Sequence, residues 1–124
     1  MHWLEEQVER LQSLANAQRR PEFMSAVREV AGAVACREGV TACWVCHDGL
    51  LIDTAGYAAD FEALSAMTQS WMVTGKEAAM TLSLGRVQQM LLVGVEHKLA
   101  LFVIGQLAVG ILSPTTVNLA RTLA

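Results

Sequence analysis

The dipeptide Asp48-Gly49 constrains this chain more than any other feature. It sits between two apolar runs, Val40 to Cys46 and Leu50 to Ala55. A tight two-residue hairpin turn needs positive φ at its centre, and Asp-Gly supplies it at little steric cost. The stretch therefore predicts a β-hairpin. A turn at 48–49 sets the pairing as His47 with Leu50, Val45 with Ile52 and Cys43 with Thr54. Strand side chains alternate between faces. Ala42, Trp44, Cys46 and Leu51 then share one face, and Cys43, Val45, Leu50 and Ile52 the other. Both faces are mostly apolar, which predicts a sheet covered on both sides.

The same hairpin carries Cys43-Trp44-Val45-Cys46-His47, the outline of a c-type haem attachment site and of a redox CxxC pair. On a strand, thiols three residues apart point to opposite faces and lie roughly 10 Å apart along the chain. A disulfide needs Cα atoms within about 7 Å, and thioredoxin-like pairs sit at a helix N-terminus. Zinc would need two further ligands from Cys36, His47 or His97, and no second CxxC or HxxxH accompanies them. The cysteines read as small buried apolar groups, and His47 as the residue before an exposed turn.

Helices flank this hairpin in sequence. Leu4, Val8, Leu11, Leu14 and Ala15 give residues 3–18 an apolar helical stripe, with Glu5, Glu6, Glu9, Arg10 and Gln12 opposite. Pro21 suits the first turn of a second helix, which runs to about Arg37 with Phe23, Val27, Val30 and Val34 on one face. Gly39 ends it. Asp60 caps a third helix, striped by Phe61, Leu64, Met67 or Thr68, Trp71, Gly75, Ala78 and Leu82. Gly75 could end that helix or act as a close-packing point within it. Lys76, Glu77, Ala78 and Ala79 are good helix formers and favour one long helix.

Three strands are expected next: Val87 to Val95, Leu99 to Ile104 and Leu107 to Leu112, with turns at Glu96-His97-Lys98 and Gly105-Gln106. Ser113 is the expected cap of a last helix, with Pro114 at its first position and Val117, Leu119, Ala120 and Leu123 as its apolar residues. The order predicts an α+β fold, a five-stranded antiparallel sheet with helices on both faces.

Composition narrows function. At 124 residues, 53% hydrophobic and 17% charged, the chain suits one domain with apolar surface to spare, and part of that surplus is expected against another subunit. The net charge of -3 and the scattered basic residues do not make a nucleic-acid footprint. The N-terminus is acidic and amphipathic, without the apolar core of a secretory signal. Leu99 to Leu112 is too short and interrupted to span a bilayer. The expectation is a cytoplasmic protein with reduced thiols and no membrane insertion.

No catalytic, cofactor-binding or metal-binding constellation is read from the residues. Gly105 to Gly110 joins strands and is no phosphate loop. Ser113, Thr115 and Thr116 suit a helix start. Asp48, Asp53, Asp60 and Glu62 fall in turns and a cap. Met67, Trp71, Met72 and Met80 suit a core or a subunit contact.

Asp48-Gly49-Leu50-Leu51-Ile52, the long helix after it, the three strands and Asn118-Leu119-Ala120-Arg121 together resemble the roadblock / dynein light-chain family. The resemblance covers roughly residues 21–124. The glycine usual in the last motif is missing, and residues 1–20 stand outside it as an additional amphipathic helix. It implies a homodimer in which the long middle helices pair and the following strand joins the two sheets across a two-fold axis. The interface expected on this chain comprises Leu64, Met67, Thr68, Trp71 and Gly75. It also implies a non-enzymatic regulator or scaffold that binds a small Ras-like GTPase and no nucleotide of its own. The competing reading is a small-ligand sensor of similar shape, which would show an apolar pocket with convergent polar groups.

Overall fold

The computed structural model describes residues 2–124. In chain order it contains α1 (His2–Asn16), α2 (Arg20–Ala35), β1 (Ala42–His47), β2 (Leu50–Gly56), α3 (Phe61–Thr81), β3 (Gln89–Val93), β4 (His97–Ile104), β5 (Leu107–Pro114) and α4 (Leu119–Thr122). The five strands form one sheet in the order β2-β1-β5-β4-β3, antiparallel at every junction. This is the α+β architecture with helices on both faces that the sequence predicts.

One face is covered by α1, α2 and α4. Leu4, Val8 and Leu11 form the buried stripe of α1, and Phe23, Ala26, Val27, Val30, Ala31 and Val34 that of α2. Both repeat at helical intervals. They share one core with Cys43 and Val45 of β1, Val109 and Ile111 of β5, and Leu119 and Leu123 at the chain's end. The N-terminal helix is therefore built into the same core as the rest of this layer. Arg37 ties its start down: the guanidinium lies 3.8 Å over the Trp3 ring and donates to the Thr122 carbonyl at 3.3 Å.

The other face is covered by α3, which runs unbroken through Gly75. Asp60 caps it, its carboxylate accepting from the Ala63 N–H at 3.0 Å. Here the core is Trp44, Cys46, Met72, Leu99, Leu101 and Ala108. Cys43 and Cys46 thus lie on opposite faces of β1, in different cores, as their spacing predicts.

The hairpin turn forms at Asp48 and Gly49, with φ of 50° and 82°. The register differs from the expected one. His47 opposes Leu50 and Cys46 opposes Leu51, but Val45 then opposes Asp53, Trp44 opposes Thr54 and Cys43 opposes Ala55. Ile52 is the extra residue of a β-bulge. Without it Asp53 would fall opposite Trp44 on the α3 face. With it, Asp53 turns to the α2 face, and its carboxylate lies 3.7 Å from Arg28 Nε.

Two further expectations are corrected. Gly94 opens the β3–β4 turn, its N–H donating to the His97 carbonyl at 2.8 Å. His97 and Lys98 accordingly begin β4 rather than forming the turn. Ser113 and Pro114 do not start the last helix; they finish β5, opposite Lys98 and His97. Leu112 directs its carbonyl to Thr41 on the β1 side. Pro114, two residues on, faces the same side beyond the end of β1, where a missing N–H costs the ladder nothing. The final helix is a single turn capped by Asn118, which accepts from the Arg121 N–H at 3.2 Å.

Candidate dimer and partner interface

The sheet-facing side of α3 is set by one buried polar contact. The Trp44 indole Nε1 donates to Thr68 Oγ1 at 2.9 Å, and the Thr68 hydroxyl donates to the Leu64 carbonyl at 2.8 Å. Thr68 is completely buried. Leu64, Met67 and Trp71 are half-buried and pack against the second core. Gly75 lies against the Met90 thioether of β3, which a Cβ there would push aside. The five residues expected at a subunit interface therefore share one side of α3. Thr68 is enclosed within the protomer, and the other four retain some exposure.

Apolar surface continues beyond that stripe. Leu91, Leu92, Val93 and Val95 are 60%, 53%, 56% and 98% exposed. Leu91 and Leu92 point to opposite faces of β3, so each face of this strand exposes a leucine. β3 is the last strand of the sheet, pairs only with β4 and carries no charged residue. Natural edge strands are guarded by lysine, proline or a cover, because an open row of N–H and C=O groups invites pairing. The family resemblance implies that this strand joins two sheets, but the residue set expected at the interface names none of its side chains. The signal, an uncharged apolar run, was visible in Met90 to Val95, but a sheet's centre can also produce it.

The CxxC stretch is chemically quiet. Burial, with the Asp53 charge adding to it, pushes the Cys43 thiol up to about 12. Burial also raises Cys46, against a lowering contact with the Ser65 hydroxyl at 3.5 Å. Both environments disfavour the thiolate that redox and nucleophilic chemistry need. Among the described residues no three His, Cys, Asp or Glu side chains gather as a metal site, and no helix is long and apolar enough to cross a membrane.

An open hollow of about 660 Å³ lies at the far end of α3. Lys76, Met80, Arg86, Val87, Val103 and Gln106 are among the residues that line it.

No protein-family model and no curated protein matches the sequence. Solved structures do match the fold. Myxococcus xanthus MglB superposes with a TM-score of 0.72 at 14% identity, over 78% of this chain and 76% of that one. The gliding protein MglB from Thermus thermophilus gives 0.67 at 14% identity, again over 78% and 76%. A Roadblock/LC7 domain from Streptomyces avermitilis gives 0.63 at 18% identity, over 72% and 78%. At such identities the likeness is one of fold, and the fold is the roadblock/LC7 fold that the sequence resembles.

Proposed function

We propose that this roadblock-fold chain is a non-enzymatic homodimer that regulates or scaffolds a small Ras-like GTPase. The observation that carries the dimer is the bare, uncharged β3 edge, with Leu91, Leu92 and Val93 each more than half exposed. A two-fold operator would set β3 antiparallel to its mate. It would satisfy the open edge and cover both strand faces in one isologous contact. α3 lies beside this edge through Gly75 and Met90. In the proposed dimer it meets its mate along the margin of the expected stripe, where Leu64, Met67, Trp71 and Gly75 keep some exposure, while Thr68 stays enclosed in its own protomer. Thr68 fixes the rotation of the helix from inside, and Met67 and Trp71 offer side-chain surface. Residues 21–124 form the roadblock-like unit of this reading, and α1 is an addition that closes its opposite face.

The GTPase role rests on the fold and on the family resemblance that begins at Asp48-Gly49-Leu50-Leu51-Ile52. Such a partner would dock on the composite surface that both subunits create. A regulator shifts a switch only through differential affinity for its two states. The test is sedimentation of the chain, followed by titration of Ras-like GTPases of the same cell, loaded with GDP or a GTP analogue. Twice the chain mass and tighter binding to one nucleotide state are expected. Equal affinity for both states would reduce the role to scaffolding. A clean monomer, or no binding to any such GTPase, would overturn the reading and favour a ligand sensor.

A further inference from the structure

Lys76 and Arg86 stand at the rim of the hollow at the end of α3, and its lining holds no carboxylate. Neither cation takes part in an ion pair among the described residues. In a chain of net charge -3 the lining of this hollow is positive, while on its other side Arg86 borders a second hollow lined by Glu5 and Glu9. Lys76, Ala79, Met80 and Ser83 follow one another at helical spacing along the last turns of α3 and just past its end, a wall about 10 Å long. Val87 and Val103 supply apolar surface opposite. Met80 is 81% exposed, and a methionine wall adapts to differently shaped apolar anchors.

We infer that this slot docks an acidic amphipathic segment of a partner protein. The segment's apolar side chains would lie between Met80, Val87 and Val103, with its carboxylates against Lys76 and Arg86. Charge complementarity selects this occupant: the floor rewards an apolar anchor and the rim rewards negative charge. At about 100° per residue, Lys76 and Met80 lie about 140° and 180° around the helix from Trp71. Lys76 and Met80 are therefore on the side of α3 turned away from its own sheet-facing stripe. The inference does not depend on the GTPase reading.

The test uses the full chain and two labelled synthetic peptides, identical in their helically spaced leucines, one flanked by glutamates and the other by lysines. Fluorescence anisotropy should show saturable binding of the glutamate peptide that weakens with salt, and little binding of the lysine peptide. Exposed ion pairs contribute modestly one by one, so the Lys76→Glu, Arg86→Glu double variant should lose about tenfold in affinity. Met80→Ser should weaken binding with little change in its salt dependence. Arg121→Glu, an exposed charge reversal on α4, should leave it unchanged, and melting curves should confirm that all variants are folded. Equal binding of both peptides, unaltered binding by the double variant, or no binding of the glutamate peptide would overturn the inference. Loss of self-association in the double variant would assign the slot to a second copy and overturn it as well.

Discussion

Trp44 and Thr68 join the two layers on the α3 side of the sheet through a single buried hydrogen bond, indole N–H to threonine hydroxyl at 2.9 Å. Both residues are completely enclosed. Thr68→Val keeps the shape and removes the acceptor, which strands a buried N–H donor. A loss of about 1–3 kcal/mol in unfolding free energy is expected, with Thr68→Ser much closer to wild type. Urea denaturation followed by tryptophan fluorescence measures both. Equal stability of the valine and serine variants would show that the bond does not hold α3 in place.

Two glycines should respond to alanine with opposite signs. Gly110 on β5 sits directly opposite Trp44, and a Cβ there would overlap the indole. Gly110→Ala forces the ring or the strand to shift and should cost about 1–3 kcal/mol. Gly32 lies in the interior of α2 with nothing near its missing Cβ. Gly32→Ala removes unfolded-state freedom from a helix and should stabilise by about 0.5–1 kcal/mol. Thermal melts of the two single variants decide the signs.

Self-association should depend on β3 and on Trp71. A lysine on the bare edge, Leu91→Lys or Leu92→Lys, introduces the guard that natural edge strands carry and should shift the sedimenting species to the chain's own mass while the fold persists. Trp71→Ala should weaken the dimer and cost the protomer less than Trp44→Ala. Trp44 is fully buried, and its truncation should cost about 3–5 kcal/mol. If both tryptophan variants unfold alike and the lysine variants remain dimeric, the interface lies elsewhere.

Cys43 gives the fold an alkaline limit. Its thiol is pushed from an ordinary value of 9.0 up to about 12 by burial and by Asp53. Between those values the unfolded chain releases the proton and the native chain keeps it, so unfolding is favoured as pH rises. The contribution is complete below pH 9 and declines by about 1 kcal/mol per pH unit above it. Urea midpoints at pH 8 and pH 10 should fall further for wild type than for Cys43→Ala. At neutral pH a thiol reagent should modify the exposed Cys36 first, since Cys43 and Cys46 are buried.

What the sequence determined by itself was local. Asp48-Gly49 dictated the hairpin because backbone dihedrals at two residues suffice to make that turn. Alternation placed Cys43 and Cys46 on opposite faces whatever lay beyond them, and Asp60 with the run from Phe61 specified a helix able to carry Gly75. The roadblock pattern was legible because it is a sequence of such local elements. Only the tertiary structure decided the rest. The bulge at Ile52 exists between two strands, and it moves Asp53 to the face where Arg28 stands. Ser113 and Pro114 carry the signature of a helix start, yet pairing with β4 keeps them extended because β1 has already ended on the proline's side. The same holds for the candidate interface. An apolar run such as Met90 to Val95 is identical in sequence whether it lies in the middle of a sheet or at its margin. The absence of a strand beyond β3, a fact about neighbours distant along the chain, is what leaves that run exposed.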